Sequence, residues 1–341
     1  MSAGHSKRAR ALGLGVLLCM NFLCAHASAA QRPACVPPRG HTAYKIESRC
    51  KALSFDARMR TYRLYVPNSI GPRSRKQALR KSPPVLLVLH GGGGSGSAME
   101  ALTRGRFNRA ADRRHVLVAY PDGIDRGWND GRAELRSTAG EEHIDDIGFL
   151  RAVIADIEKH VPVDRKRIYV TGISNGGMMA YRLACDAADF VAAAAPVAAG
   201  LSAELATECH PSRMVPIAIF NGTDDPIMPW LGGPIKGPWR RRGQVLSAED
   251  TFEAWTKLGD CALPTTHMAR NKVAHDGTSL VLHVARECQG DAEVRLYEIL
   301  GGGHTWPGST QYLPQRLVGK VSGELNASDE IWNFVSRFAL Q

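Results

Sequence analysis

The sequence predicts an α/β protein built on one doubly wound, mostly parallel sheet in a single domain. Short apolar runs alternate along the chain with segments of helical periodicity, as expected of repeated βαβ units. The 341 residues suffice for one large domain of this kind, and 44% of them are hydrophobic, enough to bury a sizeable core. No internal repeat, low-complexity linker or second domain boundary interrupts the chain. In such sheets ligands bind beyond the carboxyl ends of the strands.

Residues 1–30 have the features of a secretory signal peptide. Lys7, Arg8 and Arg10 form a charged end, and the apolar run that follows at residues 11–23 is too short to span a membrane. Ala27-Ser28-Ala29 offers a cleavage site. We therefore expect a secreted protein, extracellular or periplasmic, whose functional domain covers residues 31–341.

Charge and cysteine content narrow the class of protein. The formal net charge is +10, and three of the basic residues lie in the leader, which leaves a moderately basic domain. No nucleic-acid-reading motif accompanies this charge, so a solvated basic surface is expected and nucleic-acid binding is not. Beyond the leader the cysteines are even in number, which suggests disulfides in an exported chain, and their spacing matches no zinc signature. Proximity in sequence favours three pairs among about fifteen possible pairings: Cys35–Cys50, Cys185–Cys209 and Cys261–Cys288.

The first third of the domain begins with a Pro-rich polar strap at residues 31–57. Thr61 to Val66 alternates polar and apolar side chains and predicts an antiparallel strand. Residues 69–82 are expected to form a basic surface loop. Val85 to Leu89 is continuously apolar, as expected of a strand buried on both faces of a parallel sheet.

A glycine-rich segment, His90 to Gly94, follows this buried strand. It could cradle a phosphate, but the phosphate-binding pattern requires a lysine that does not follow here. It could instead supply one backbone N–H of an oxyanion hole, which comes from this connection in α/β-hydrolases. We favour the second interpretation, with the donor at Gly92 or a neighbour and with His90 bracing the loop.

The next segments continue the alternation of helix and strand. Residues 98–112 are predicted to form a helix, and residues 116–119 a buried strand. Trp128 follows in a loop, where it either lines a substrate cleft or pins the loop. Asp145 and Asp146 precede a segment of helical periodicity, and we expect them to cap that helix rather than to bind a metal.

The stretch from Tyr169 to Ala180 carries the strongest chemical signal. β-branched and aromatic residues lead into the G-x-S-x-G pattern around Ser174, and a helix-compatible run follows. Strand, sharp turn and helix form the context in which such a serine acts as a nucleophile. The pattern needs small residues because side chains at the two glycines would collide with the neighbouring strand or helix. The backbone N–H of Asn175 then opens the helix and can face a developing oxyanion.

The second half of the chain supplies further strands and helices. Strands are predicted at residues 190–197, 216–220, 280–284 and 294–300, and helices at 247–258 and 328–340. Residues 228–245 insert Trp230, Trp239 and several glycines. We expect this insertion to lie over the catalytic face as a lid or an aromatic wall.

Ser174, Asp225 and His304 follow one another in the order nucleophile, acid and base that α/β-hydrolases use. His304 lies in a glycine-rich loop after the last predicted strand, where a base can be held over the nucleophile. Either Asp224 or Asp225 could be the acid, and we choose Asp225 because Pro226 follows it directly. The predicted chemistry is two-step acyl transfer through an acyl-enzyme.

Several segments together resemble a known family of esterases. They are Leu89 to Gly94, Tyr120 to Gly123 with Trp128-Asn129, Asp145 to Phe149, Gly172 to Met178, Gly222 to Asp225 and Gly303 to Gly308. This set, spread over about residues 45–340, is similar to that of secreted esterases of the poly(3-hydroxybutyrate) depolymerase and feruloyl esterase type. Many members carry a cysteine where this chain has Gly92, and polymer-degrading members often add a linker and a substrate-binding domain after the last helix.

The resemblance implies an exported serine esterase that needs no metal and no organic cofactor. Its substrates would be polyester oligomers of the 3-hydroxybutyrate type or hydroxycinnamoyl esters attached to polysaccharide. It also implies Ser174, Asp225 and His304 as the catalytic triad, in agreement with the order of these residues along the chain.

Two other functions stay open at this point. One is a non-catalytic polyester- or glycan-binding protein on a hydrolase scaffold, which would grip its ligand with Trp128, Trp230 and Trp306. The other is a serine peptidase of the same fold. For the esterase we predict the same three tryptophans as the residues that bind substrate.

Overall fold

The computed structural model describes residues 48–70, 82–132, 137–237, 243–268 and 276–341. The predicted signal peptide at residues 1–30, Cys35 of the first proposed disulfide, Trp239 and most of the predicted basic loop lie outside these residues. All described residues belong to one compact unit.

A ten-stranded sheet, parallel at its centre, organises the described residues. In chain order the strands of the molecule are β1 (Arg49–Phe55), β2 (Arg58–Tyr65), β3 (Val85–Leu89), β4 (Leu117–Pro121), β5 (Ile168–Ile173), β6 (Ala193–Val197), β7 (Ile217–Gly222), β8 (Gly233–Pro234), β9 (Gln244–Val245), β10 (Thr265–Met268), β11 (Ser279–Ala285) and β12 (Val294–Leu300). The order across the sheet is β1-β2-β4-β3-β5-β6-β7-β12-β11-β10, and β8 and β9 form a separate ribbon. The run from β4 to β12 is parallel, whereas the strands at both ends pair antiparallel.

Helices cover both faces of this sheet. The α-helices of the described residues are α1 (Gly96–Leu102), α2 (Arg106–Arg114), α3 (Thr138–Glu141), α4 (Asp146–Glu158), α5 (Asn175–Asp186), α6 (Ala203–Glu208), α7 (Ala248–Leu258), α8 (Gln315–Val318) and α9 (Ala327–Val335). Side chains of α4, α5 and α7 belong to one buried apolar cluster, and those of α1, α2 and α9 to another. None of these helices has the length and apolar character that crossing a membrane requires.

The side chains of β3 are divided between the two apolar clusters, one on each face of the sheet. Its five residues are all buried. Val85, Leu87 and Leu89 join the first apolar cluster, whereas Leu86 and Val88 join the second. Successive side chains of a strand point to opposite faces, so a continuous apolar run is what a strand covered on both faces requires. The predicted α/β fold with a mostly parallel sheet is confirmed.

Backbone with positive φ shapes two segments in ways that the sequence did not predict. The single helix expected at residues 98–112 is divided into α1 and α2, because Arg104 and Gly105 adopt φ values of 53° and 60°. The polar strap expected at residues 31–57 contains β1, which pairs with β2 across a tight turn at Asp56 and Ala57, with φ of 49° and 55°. Left-handed residues at both turn positions suit a two-residue hairpin, although neither residue is the glycine that usually marks one.

Two of the three predicted disulfides lie within the described residues, and both are present. Cys185 is bonded to Cys209 and Cys261 to Cys288. The predicted cap at the start of α4 is present as well, because the Asp145 carboxylate accepts the Gly148 N–H at 2.7 Å. These bonds fasten helices that cover the sheet from which the functional loops emerge.

Candidate active site

Ser174 sits at a strained turn between β5 and α5. Its φ of 56° and ψ of −123° lie in a region that residues other than glycine rarely adopt. The Ser174 N–H donates to the Val197 carbonyl at 2.9 Å, and its own carbonyl accepts the Met178 N–H at 2.8 Å. Strand and helix therefore hold this strained residue from both sides, as is common at functional sites.

The two glycines of the pattern are required by close backbone approach. A Cβ at Gly172 would lie 2.5 Å from the Gly176 carbonyl oxygen, and a Cβ at Gly176 would lie 2.4 Å from the His90 carbonyl oxygen. No heavier side chain fits at these distances without moving the backbone. The collisions predicted from the sequence are confirmed.

The structure brings Asp225 and His304 together. Asp225 follows β7 and His304 follows β12, and the His304 Nδ1–H donates to Asp225 Oδ2 at 2.8 Å. The other carboxylate oxygen accepts the N–H groups of Ile227 and Met228, both at 2.8 Å. Both side chains of the pair are buried, whereas Asp224 is exposed. Nε2 of His304 is thus the ring nitrogen able to accept a proton.

The loop that carries His304 is fixed by the segment that follows it. The His304 N–H donates to the Val318 carbonyl at 2.6 Å, and the Tyr312 hydroxyl donates to the His304 carbonyl at 2.9 Å. Burial, with a smaller contribution from the charge of Asp225, raises the pKa of Tyr312 to about 12. Tyr312 therefore stays protonated and remains a hydrogen-bond donor at neutral pH.

The predicted oxyanion donors approach each other from two different elements. Gly92 lies in the loop after β3, and a Cβ built there would be 3.8 Å from the Asn175 Cβ. The neighbouring Gly93 and Gly94 N–H groups donate to Arg126 and Gly91 carbonyls. Among the described contacts, the Gly92 and Asn175 N–H groups have no acceptor, and the first N–H groups of a helix such as α5 lack one inside the helix.

A cavity of about 880 Å³ joins these groups. Gly92, Ser174, Asn175 and His304 all border it. Much of the remaining wall is apolar and includes Met99, Leu102, Ile173, Met178, Met228 and Ile235. Within the described residues, no hydrogen bond is formed between Ser174 Oγ and His304 Nε2. Such bonds are often long in unliganded hydrolases and shorten when substrate binds.

The three tryptophans predicted to contact substrate do not line this cavity. Trp128 is fully buried, and its indole N–H donates to the His90 carbonyl at 2.9 Å. Trp306 is also fully buried, with its N–H on Ser328 Oγ at 3.1 Å. Trp230 is half-buried and packs against the core. These positions do not support the predicted contacts with substrate, because Trp128 and Trp306 are fully buried and hydrogen-bonded inside the protein and Trp230 packs against the core.

Two wall residues were missed by the analysis of the sequence. Tyr312 borders the cavity and follows His304 by eight residues in the chain. This closeness in sequence is the only feature that could have pointed to it. Arg132 also borders the cavity and forms a buried ion pair with Asp130 at 2.6 Å. No motif marks either residue, because both reach the cavity through loops without periodicity.

The fold and this arrangement of groups define the class of the protein as an α/β-hydrolase. No family model matches the chain. The chain is 32% identical over 286 residues to the putative esterase NocK of Nocardia uniformis subsp. tsuyamanensis, covering 82% of this chain and 79% of that protein. It is 31% identical over 266 residues to feruloyl esterase B of Piromyces equi, covering 76% of this chain and 43% of that protein.

The solved structure of an acetyl xylan esterase from Aspergillus awamori has the same fold, with a TM-score of 0.54 at 12% identity, over 84% of this chain and 98% of that one. The chain therefore belongs to the α/β-hydrolase esterases of the feruloyl esterase and poly(3-hydroxybutyrate) depolymerase-like group. It is a serine esterase, as the sequence predicted.

Proposed function

We propose that this carboxylesterase uses Ser174 as nucleophile, His304 as general base and Asp225 as the acid that orients the base. The observation that carries the proposal is the buried Asp225–His304 hydrogen bond of 2.8 Å beside the cavity that Ser174 also borders. An aspartate bonded to Nδ1 fixes the imidazole tautomer and stabilises its protonated form, which is the role of the acid in such triads.

In the first step Ser174 Oγ attacks the ester carbonyl while His304 Nε2 takes its proton. The tetrahedral intermediate collapses when His304 returns that proton to the departing alcohol. Water then attacks the acyl-enzyme by the same route in reverse. The N–H groups of Gly92 and Asn175 are proposed to donate to the oxyanion in both steps, where one donor is typically worth about 3–4 kcal/mol of barrier.

The substrates we propose are esters of the 3-hydroxybutyrate or the hydroxycinnamoyl type. The apolar wall formed by residues such as Met99, Met178 and Met228 supports an acyl group of low polarity. The relationship to a protein named feruloyl esterase B supports the aromatic alternative. Side-by-side hydrolysis of methyl ferulate and of 3-hydroxybutyrate oligomers measures which acyl group the cavity prefers.

We further propose that residues 1–30 are removed during export and that residues 31–341 form the mature esterase. The disulfides Cys185–Cys209 and Cys261–Cys288 support this proposal, since disulfides persist in oxidising compartments. N-terminal sequencing of the protein recovered outside the cytoplasm tests it, and a mature chain that still begins at Met1 would contradict it.

The catalytic proposal is tested by Ser174→Ala with p-nitrophenyl butyrate as substrate. We expect a loss of about 10⁶-fold in kcat, because a serine knockout removes covalent catalysis and leaves only binding and oxyanion stabilisation. Ser97→Ala, an exposed serine of α1, is the matched control and should keep full activity. The same assay with the corresponding anilide separates an esterase from a peptidase.

A further inference from the structure

Trp128 connects the two elements that carry the proposed oxyanion donors. We propose that it is a positioning residue: together with the segment Gly123–Asp130, here called the brace, it sets the spacing between the N–H groups of Gly92 and Asn175. The inference rests on the proposed function, since it assigns these two N–H groups to the oxyanion. It replaces the predicted contact between Trp128 and substrate.

The brace holds the glycine-rich loop at three points. The Trp128 indole N–H donates to the His90 carbonyl at 2.9 Å, and the Gly123 N–H donates to His90 Nε2 at 3.0 Å. The Gly93 N–H donates to the Arg126 carbonyl at 2.7 Å. These bonds flank Gly92 on both sides, so the position of its N–H follows the position of the brace.

The same brace holds the start of α5. The Trp128 N–H donates to Asn175 Oδ1 at 2.8 Å, and Asn175 Nδ2 donates to the Trp128 carbonyl at 3.0 Å and to Asp130 Oδ2 at 2.6 Å. Asn175 therefore has two separate roles. Its backbone N–H is the proposed oxyanion donor, and its side chain ties that donor to Trp128.

The brace is itself anchored in the protein interior. Trp128 and Asp130 are fully buried. The Asn129 N–H donates to Asp146 Oδ2 at 2.8 Å, and the other oxygen of Asp146 pairs with Arg60 at 2.7 Å. Buried groups that are hydrogen-bonded in this way resist displacement, because moving one leaves its partner unpaired.

A fixed spacing matters because oxyanion donors contribute most when they are already in place before charge develops. Displacement of a few tenths of an ångström weakens stabilisation of the intermediate but leaves the wall that binds ground-state substrate intact. Loss of a brace contact should therefore lower kcat and the affinity for a transition-state analogue, with little change in KM.

The test compares Trp128→Phe with Trp255→Phe. Both tryptophans are fully buried, and each donates its indole N–H to a backbone carbonyl, Trp255 to that of Val215 at 3.0 Å. For Trp128→Phe we expect kcat on p-nitrophenyl butyrate to fall by about 10–100-fold, a partial loss of oxyanion stabilisation. Binding of a butyryl trifluoromethyl ketone should weaken by the same factor, and KM should stay near the wild-type value. Trp255→Phe should leave all three quantities near wild type.

Asn175→Ala supplies a second route, because it keeps the backbone N–H and removes the side-chain link to Trp128. It should lower kcat and the affinity for the trifluoromethyl ketone, with little change in KM, as expected for Trp128→Phe. If Trp128→Phe does not fold, Asn175→Ala still tests the proposal. In the double variant the fold-decrease in kcat should be smaller than the product of the two single decreases, because both substitutions loosen the same brace.

A raised KM with unchanged kcat in Trp128→Phe and in Asn175→Ala would overturn the proposal in favour of direct substrate contact. Unchanged kcat in both variants, with Ser174→Ala inactive, would overturn it as well and leave the proposed function standing. Activity retained in Ser174→Ala would instead remove the proposed function.

Discussion

The two sides of the catalytic cavity differ in how their side chains are held. On the oxyanion side Trp128 is fully buried, Asn175 is 8% exposed, and both are tied by several hydrogen bonds. On the opposite side, here called the rim, Tyr312, Leu313 and Leu317 are 41%, 44% and 51% exposed. Tyr312 and Leu313 border the cavity, and Leu317 lies on the same segment.

The backbone of the rim is nevertheless fixed. Gln311 Nε2 donates to the carbonyls of Leu313 and Gly319, at 2.7 and 3.0 Å, and Gln311 Oε1 accepts the Val321 N–H at 3.3 Å. The Tyr312 hydroxyl is bound to the His304 carbonyl. The rim thus helps to hold the loop of the base through the Tyr312 hydroxyl, while the exposed side chains of Leu313 and Leu317 remain available to apolar parts of a substrate.

This difference suggests that the two sides of the cavity have different functions, one in the chemical step and the other in substrate binding. Groups that act on the reacting atoms need fixed distances, and they are surrounded by satisfied internal hydrogen bonds. Groups that contact the variable part of an ester need only present apolar surface. Substitutions on the two sides should therefore separate into effects on kcat and effects on KM.

The largest effect is expected for His304→Ala, which removes the base. We predict a loss of about 10⁶-fold in kcat, similar to the loss of the nucleophile, because serine and base act as one unit. His283→Ala is the matched control, since His283 lies in β11 and contacts Glu298 at 2.8 Å, and it should keep activity. Steady-state kinetics with p-nitrophenyl butyrate measures both variants. A kcat of His304→Ala within about tenfold of the wild-type value would contradict the assignment of His304 as the base.

A smaller loss is expected for Asp225→Asn. The amide cannot hold the imidazole in the tautomer that leaves Nε2 unprotonated, and the corresponding change in a serine protease lowers kcat by about 10⁴-fold. Asp224→Asn changes the neighbouring exposed carboxylate and should have little effect. Equal decreases of kcat in Asp225→Asn and Asp224→Asn would show that catalysis does not depend on the hydrogen bond between Asp225 and His304.

The rim should affect binding more than chemistry. Leu313→Ser removes apolar surface at the cavity mouth. It should raise KM for p-nitrophenyl butyrate by about 3–10-fold at unchanged kcat, because that factor corresponds to the free energy of partly burying one leucine side chain. Leu263→Ser is the control, because Leu263 is 92% exposed and does not border the cavity. A fall in kcat without a change in KM would place Leu313 with the oxyanion side instead.

The smallest expected effect concerns stability at acidic pH. Burial lowers the pKa of His90, and the nearby Arg126 and Arg60 act in the same direction, against the Gly91 hydrogen bond and the charge of Asp122. The unfolded chain takes up this proton near pH 6.5, at about the ordinary pKa of histidine, whereas the folded protein resists it. The free energy of unfolding should therefore fall as pH decreases below about 6.5, by at most about 1.4 kcal/mol per pH unit from this group.

Urea unfolding at a series of pH values measures this contribution. His90→Gln lacks the titrating ring and should be less stable than wild type at neutral pH but show a flatter dependence below pH 6.5. Parallel curves for the two proteins would mean that His90 is not the group responsible.

The amino-acid sequence indicates the position of the site better than the residues that form its walls. Ser174, Asp225 and His304 could be chosen because each follows a strand pattern, and strand ends meet at one edge of a parallel sheet. The sequence did not decide whether Trp128 lines a substrate cleft or pins its loop, because an indole in a loop has the same sequence signature whether it faces substrate or donates to His90. Tyr312 was missed for a related reason, since its contact with His304 depends on how an irregular loop folds back.

The assignment of Ser174 and His304 can be tested by labelling with an alkyl fluorophosphonate. Peptide mass mapping of the wild-type protein and of His304→Ala identifies the residue that is modified. We predict a stoichiometric adduct on Ser174 in the wild type and a labelling rate that nearly vanishes in the variant. An adduct on another residue, or labelling of Ser174 at the same rate without His304, would contradict it.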